Sequence, residues 1–207
     1  MVVVAATHNR NKIKEIDAIT SSYGFKIISL KEAGYEDLHI EENGDTFEAN
    51  SLIKAKAIWG RTGLPSIADD SGLAVDILSG EPGVRSARYA GEFAEDRENN
   101  EKLLGLMKDI PPEKRGAGFI CVITMILPHG KIITARGECR GTILTEPRGS
   151  EGFGYDPIFM PLGYCVSFGE LPAHVKNQIS HRAVALAVLK EKLDESGGVF
   201  GHDLKTE

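Results

Sequence analysis

Short apolar runs alternate with polar, helix-forming stretches along most of the 207-residue chain. Apolar or β-branched runs predict strands at residues 2–6, 26–30, 66–68, 118–127 and 131–140. Helical spacing and capping residues predict helices at residues 12–20, 45–59, 95–107 and 180–193. Because the helices and strands interleave, the pattern predicts an α/β fold built in layers.

Polar residues at the predicted boundaries refine this pattern. Asp45, with Glu48 three residues later, has the spacing of a capping box and is expected to begin the second helix. Ser180 is expected to cap the last helix. The strand at residues 66–68 is expected to end at the pair Asp69-Asp70. Residues 1–193 are expected to form one domain, and residues 194–207 a polar, frayed tail.

Composition narrows the class of protein. The chain is 42% hydrophobic and 26% charged, which suits one large domain or two lobes that share a core. Its formal net charge of −6 disfavours a nucleic-acid partner, because proteins that bind nucleic-acid phosphates usually carry basic surfaces.

The cysteines and the apolar runs indicate a compartment. The three cysteines are far apart and show no C-x-x-C spacing, so neither a zinc site nor a disulfide framework is expected. No apolar run is long enough to span a membrane, and the N-terminal run is too short for a signal peptide. A cytoplasmic protein with no membrane partner is therefore expected.

The adjacent acids Asp69 and Asp70 are the first candidates for chemistry. Two neighbouring carboxylates repel each other and are costly to bury, so a positive partner is expected. Successive side chains of an extended strand point to opposite faces, so the two should have different roles. Carboxylate oxygens without cysteine suit Mg²⁺. Glu41 and Glu42 could add ligands, although taken alone they are better explained as a solvated acidic loop.

Cations gather at two predicted helix starts. Arg10 and Lys12 in "ATHNRNK", together with Lys14 just after it, oppose the helix dipole unless an anion binds there; solvated surface side chains are the alternative. His181 and Arg182 are likewise cationic side chains in the first turn of a predicted helix, directly after Ser180. The alternative there is a core histidine and an arginine paired with a carboxylate.

Two further segments could contact a ligand. Lys54 falls beside the apolar stripe of its helix, so it can reach the interior, whereas Lys56 falls on the opposite side. Snorkelling along the stripe is the alternative for Lys54. The segment "GFGYDP" could bring backbone and aromatic rings close to a base, or could be a tight turn. Together these groups favour a nucleoside polyphosphate with Mg²⁺, and neither a P-loop nor a G-x-G-x-x-G fingerprint is present.

Six ordered motifs resemble the inosine triphosphate pyrophosphatases, also called XTP/dITP diphosphatases. They are "ATHNRNK", "EENGDTFEANSLIKA", "ADDSGLAVD", "PGVRSARYAG", "GFGYDPIF" and "ISHR", and the resemblance covers nearly the whole chain. It implies an elongated mixed β-sheet flanked by helices, with two lobes and a substrate cleft between them. It also implies a homodimer and Mg²⁺-dependent conversion of ITP, dITP or XTP to the monophosphate plus pyrophosphate.

The resemblance also implies roles for individual residues. Glu41 and Asp70 would bind the metal, and the catalytic residues would be Asp70 as general base, Asp69 beside it and Lys54 against the phosphates. The phosphates would contact Thr7, His8, Asn9, Arg10, Asn11 and Lys12. Base, sugar and remaining substrate contacts would come from Ser71, Phe153, Gly154, Tyr155, Asp156, Lys176, His181 and Arg182.

Two residues depart from the family's pattern. His8 and Ala183 stand where glycine is common, and His8 puts the geometry of the first loop in question. Three other functions stay open: a nucleotide sensor without activity, a pyrophosphatase for modified pyrimidines, and a phosphatase that releases orthophosphate. Product analysis separates a phosphatase that releases orthophosphate from a pyrophosphatase.

Overall fold

The computed structural model describes residues 1–7 and 10–195 and contains a six-stranded sheet flanked by helices. The strands are β1 (Val2–Ala5), β2 (Lys26–Ile28), β3 (Ser66–Val75), β4 (Gly116–Ile126), β5 (Ile132–Ile143) and β6 (Phe159–Pro161). The helices are α1 (Arg10–Thr20), α2 (Phe47–Thr62), α3 (Asp96–Leu106), α4 (Ala173–Ile179) and α5 (His181–Glu195).

The sheet is mixed, as the family resemblance implies. Its strand order is β2-β1-β3-β4-β5-β6. Strand β1 pairs in parallel with both β2 and β3, whereas β5 and β6 are antiparallel. In the part of the chain that the structure describes, no helix has the length and apolar character to cross a membrane.

The chain divides into two compact units. Unit 1 comprises Met1–Asp70, Val122–Gly137 and Ala185–Glu207, and unit 2 comprises Ser71–Cys121 and Glu138–Val184. Strands β3, β4 and β5 each contribute residues to both units.

Each unit has its own core. In unit 1, Val4, Ile58, Ala68 and Ile126 are buried in one cluster, and α2 turns its apolar stripe toward it. In unit 2 the core is aromatic: the ring of Phe119 lies 4.7 Å from Phe159 and 6.0 Å from Phe168, centroid to centroid. Offset and edge contacts of this kind add stability beyond the buried area.

Two boundary predictions were wrong. Thr46, not Asp45, caps α2: its side-chain oxygen accepts a hydrogen bond from the Ala49 backbone N–H at 3.1 Å. Strand β3 does not end at the acidic pair but continues through Asp69 and Asp70 to Val75. The sequence also gave no signal for β6 or α4, which are short.

The start of α5 agrees with prediction. The Ser180 hydroxyl accepts a hydrogen bond from the Ala183 N–H at 3.2 Å, so it caps α5 as expected. His181 and Arg182 therefore occupy the first turn of that helix.

Candidate active site

Unit 1 holds a group of polar side chains around Lys54, which we call the Lys54 cluster: Glu42, Asn50, Lys54 and Asp70. The Lys54 ammonium lies 2.8 Å from Glu42 Oε2 and 2.9 Å from Asp70 Oδ1. Asn50 donates a hydrogen bond to the other carboxylate oxygen of Asp70 at 3.3 Å. Asn50 and Lys54 are one helical turn apart on α2, so both can face the same carboxylate.

Burial sets the electrostatics of this cluster. It raises the pKa of Asp70 to about 6, although the Lys54 ammonium acts in the opposite direction. Burial alone would lower the pKa of Lys54, but the carboxylates of Asp70 and Glu42 together raise it. Lys54 therefore stays charged at neutral pH, and Asp70 is a carboxylate that can accept a proton near physiological pH.

Asp69 has a different partner, as the alternation of an extended strand predicts. Its Oδ2 lies 2.9 Å from the Lys12 ammonium on α1, and only 1% of the Asp69 side chain is exposed. The two adjacent acids thus meet two different lysines. This arrangement explains how β3 tolerates a buried like-charged pair within the strand.

The residues of the Lys54 cluster fit Mg²⁺ through their chemistry. Glu42 and Asp70 offer two carboxylates, and Mg²⁺ typically takes one or two together with water and substrate phosphates. Among the described residues, no group of three or more acidic, histidine or cysteine side chains could hold a metal by itself. Glu41 is exposed, whereas Glu42 is half-buried beside Lys54; Glu41 as a ligand stays a prediction.

The proposed phosphate segment is only partly visible. Thr7 is half-buried and, with Ile13 and Lys14, lines an open hollow of unit 1 of about 460 Å³. His8 and Asn9 lie outside the described residues, as do the side chains of Arg10 and Asn11. The question raised by His8 in place of glycine therefore stays open.

Unit 2 holds a second group, which we call the Lys176 cluster: Phe153, Asp156, Phe168 and Lys176. The Lys176 ammonium on α4 lies 2.5 Å from Asp156 Oδ2. It also lies 4.7 Å from the ring centre of Phe153 and 5.5 Å from that of Phe168. Such positions are favourable for a cation, because the face of an aromatic ring carries negative charge.

Asp156 is the buried anchor of the Lys176 cluster. Burial raises its pKa, while Lys176, the Phe153 N–H and Arg182 act in the opposite direction. The Phe153 N–H donates to Asp156 Oδ2 at 2.8 Å, so one oxygen holds both the loop and the lysine. Asp156 therefore fixes the loop in addition to any contact with a ligand.

Three more predicted residues of unit 2 are described. Arg182 is 3% exposed and its guanidinium lies 3.4 Å from the Ser71 hydroxyl. The His181 ring stacks on Phe119, with centroids 4.8 Å apart and planes 13° from parallel. His181 therefore packs against the core, which was the alternative interpretation of this residue. The contacts of Arg182 and Ser71 with a substrate stay predictions.

Three polar residues were missed by the sequence interpretation. Asn50 contacts Asp70, and Asp96 and Asn100 bond to the backbone of Gly154. Asn50 had a usable signal, since it precedes Lys54 by four residues on the same helix face. Asp96 and Asn100 had none, because their partner is far away in the sequence.

Comparison with known proteins gives one consistent family. The model of the Ham1 family matches residues 3–192. A dITP/XTP pyrophosphatase of Geobacter sulfurreducens is 48% identical over 94% of this chain and 98% of its own. A dITP/XTP pyrophosphatase of Bacillus subtilis is 45% identical over 92% of this chain and 96% of its own.

Solved structures agree with these sequences. The Staphylococcus aureus Ham1 protein superposes with a TM-score of 0.87 at 38% identity, covering 95% of this chain and 100% of that one. A HAM1 protein from Coxiella burnetii also superposes with a TM-score of 0.87 at 38% identity, covering 94% of this chain and 99% of that one.

Proposed function

Because the chain belongs to the Ham1 family, we propose that it hydrolyses non-standard purine nucleoside triphosphates such as dITP, ITP and XTP. The products are the nucleoside monophosphate and pyrophosphate, and the reaction requires Mg²⁺. The relatives named above are dITP/XTP pyrophosphatases. The observation that carries the proposal for this chain is the buried Asp70 carboxylate, held by Lys54 and Asn50 with its pKa near 6.

In this proposal the residues of unit 1 carry out the chemistry. Asp70 orients a water molecule and accepts its proton as the water attacks phosphorus, which suits a carboxylate with a raised pKa. Lys54 and Lys12 offset the charge that develops on the phosphate oxygens. Mg²⁺, held by Asp70 and by Glu41 or Glu42, would polarise the phosphates and further offset their charge.

The residues of unit 2 select the base. Hypoxanthine and xanthine carry a keto oxygen at position 6, where adenine carries an amino group. Donors from Lys176, His181 or Arg182 would bond to the keto oxygen, whereas adenine would face donor against donor. A mispaired polar group of this kind can cost factors of about 10⁴ in discrimination.

The setting of the enzyme is also part of the proposal. A cytoplasmic location is supported by the cysteines: Cys121 and Cys139 are buried and Cys165 is exposed, and none of them is in a disulfide within the described residues. A homodimer is supported by the family resemblance. The acidic composition supports a small-molecule substrate over nucleic acid.

Product analysis tests the function. Purified protein is incubated with ITP, GTP and ATP, in Mg²⁺ and in EDTA, and the products are separated. We expect IMP and pyrophosphate from ITP, little product from ATP, and none in EDTA. Orthophosphate as the first product would contradict the reaction class, and binding of ITP without any turnover would favour the nucleotide sensor.

A further inference from the structure

Helix α3 holds the peptide of Gly154 from both sides. The Gly154 N–H donates a hydrogen bond to Asp96 Oδ2 at 2.6 Å, and Asn100 Nδ2 donates to the Gly154 carbonyl at 3.0 Å. Asp96 and Asn100 are one turn apart on α3, so both side chains face the same side of the helix. One helix face therefore fixes both polar groups of a single residue in the loop.

This loop needs an external support. Gly152 and Gly154 flank Phe153 and have φ angles of +78° and +62°, in the left-handed region. Glycine has the largest backbone freedom of any residue, so a loop with two such positions loses much conformational entropy when it is ordered. Phe153 itself is 40% exposed and does not anchor the segment by burial.

An open hollow of unit 2 of about 440 Å³ lies on the α3 side of Phe153, lined by Asp96, Asn100, Phe153 and Gly154 among others. At this hollow, the two hydrogen bonds to Gly154 join the loop to α3. Beyond Gly154, the loop is anchored by Tyr155, whose buried hydroxyl donates to the Ser86 carbonyl at 2.9 Å.

The orientation of the Asn100 amide is fixed by its position. Asn100 is 7% exposed, and within the described part of the chain its Oδ1 has no hydrogen-bond partner. Reversing the amide would place that oxygen against the Gly154 carbonyl oxygen, so the Nδ2 group must face the loop. Burying an amide whose oxygen lacks a hydrogen bond costs free energy. This cost indicates that Asn100 does more than fill space.

Helix α3 is itself a firm platform. Glu95 and Glu98 form a capping box at its start, and Asn99 bonds to the backbone of Ala90 and Ala87. Leu103 is fully buried in the unit 2 core. A support built on such an element can hold a loop within the tolerance that ligand selection requires.

We propose that Asp96 and Asn100 are positioning residues that hold the Phe153–Asp156 loop in its base-selecting conformation. This inference rests on the proposed function of the same site. The two side chains act through the loop: they keep Phe153 and Asp156 in place, and Asp156 in turn holds the Lys176 ammonium. Pre-organisation of this kind improves binding by removing an ordering cost at the moment the ligand binds.

The test uses Asn100→Asp, Asp96→Ala, Asp96→Asn and a control, Glu101→Gln. Asn100→Asp keeps the shape of the side chain but sets a carboxylate oxygen against the Gly154 carbonyl. Asp96→Asn retains an oxygen that can accept from the Gly154 N–H and should restore most of what Asp96→Ala loses. Glu101 is on the same helix but pairs only with exposed Arg97 at 3.3 Å among its described contacts.

Two measurements are made on the full-length protein. Steady-state kinetics with ITP and ATP should show kcat/KM for ITP reduced about tenfold in Asn100→Asp, the factor for one lost hydrogen bond. Most of the change should lie in KM, and the ratio of ITP to ATP should fall because ATP does not use the ordered loop. Hydrogen exchange at the Gly154 amide, without substrate, should accelerate in Asp96→Ala but not in Glu101→Gln.

The possible results distinguish the positioning role of Asp96 and Asn100 from the proposed function of the enzyme. Equal loss for ITP and ATP, or unchanged exchange at Gly154 in Asp96→Ala, would overturn the positioning role. A wild-type protein that hydrolyses no purine nucleotide would overturn the proposed function, and the role in base selection with it. The exchange result would then show separately whether α3 holds the loop.

Discussion

The Lys54 cluster and the Lys176 cluster are built on the same pair of residue types in different surroundings. In each, a lysine on a helix meets a buried aspartate, at 2.9 Å for Lys54 and Asp70 and at 2.5 Å for Lys176 and Asp156. Lys54 has a second carboxylate, Glu42, beside it. Lys176 has two aromatic rings instead.

This difference separates two kinds of recognition. Two carboxylates against one ammonium leave the Lys54 cluster with excess negative charge, which suits a divalent cation and a water molecule about to lose a proton. The Lys176 cluster adds Arg182 near Asp156, so positive charge and ring faces prevail there. Such surroundings suit a flat base with carbonyl oxygens. The same ion pair can therefore serve catalysis or selectivity, depending on its neighbours.

The largest expected effect is on catalysis in the Lys54 cluster. Asp70→Asn keeps the shape of the side chain but removes the proton acceptor, so kcat with ITP should fall roughly 10²–10⁴-fold. Pyrophosphate release measures the change. Asp76→Asn is the control, because Asp76 pairs with Arg140 on the surface of unit 2. Near wild-type turnover in Asp70→Asn would remove Asp70 from the mechanism.

The second effect falls on selectivity in the Lys176 cluster. Lys176→Met keeps the length of the side chain but removes its charge and its hydrogen bonds. We expect kcat/KM for ITP to fall roughly 10²-fold, which corresponds to the loss of one strong charge-assisted hydrogen bond. The kcat/KM for ATP should fall less. An unchanged ratio of ITP to ATP would show that Lys176 does not select the base.

A smaller effect should distinguish two glycines of the Phe153 loop. A Cβ at Gly152 would lie 2.0 Å from Asp156 Oδ2, whereas a Cβ at Gly154 would meet nothing within 4 Å. Gly152→Ala should therefore lower the free energy of unfolding by roughly 2–3 kcal/mol, combining backbone strain with displacement of Asp156. Gly154→Ala should lower it by about 1 kcal/mol, from strain alone. Urea unfolding measures both, and equal losses would contradict the close contact at Gly152.

The smallest effect is a pH dependence of stability without metal. The pKa of Asp70 is raised to about 6, so the folded protein binds this proton more tightly than the unfolded chain does. The contribution of Asp70 to the free energy of unfolding is complete below the pKa that this group has in the unfolded chain. It is lost as the pH rises through about 6. In EDTA, the stability of the wild type relative to Asp70→Asn should fall by on the order of 1 kcal/mol between pH 4 and pH 7. A stability of the wild type, relative to Asp70→Asn, that rises between pH 4 and pH 7 would contradict a raised pKa of Asp70 in the folded protein.

Local rules predicted much of the fold and part of the candidate site. Helical geometry identified Lys54 as inward-facing, and it is 8% exposed, while Lys56 is exposed. Strand alternation predicted that Asp69 and Asp70 meet different partners. Capping preference correctly chose Ser180 for α5, but chose Asp45 where the neighbouring Thr46 caps α2.

The failures share a cause in long-range contacts. An acidic pair reads locally as the end of a strand, but β3 continues because Lys12 and Lys54 compensate the two charges from distant positions in the chain. The bond from Asn100 to Gly154 spans 54 residues, and neither residue is unusual in its local sequence. Periodicity and capping describe neighbours along the chain, so contacts of this kind require the structure.

One measurement tests most directly whether the two clusters divide catalysis from base selection. Calorimetric titration of Asp70→Asn with ITP and with ATP, in Mg²⁺, reports binding without turnover. We expect this variant still to bind ITP more tightly than ATP, and we expect Lys176→Met added to it to remove most of the preference. Loss of the preference in Asp70→Asn alone would contradict the division of roles between the Lys54 cluster and the Lys176 cluster.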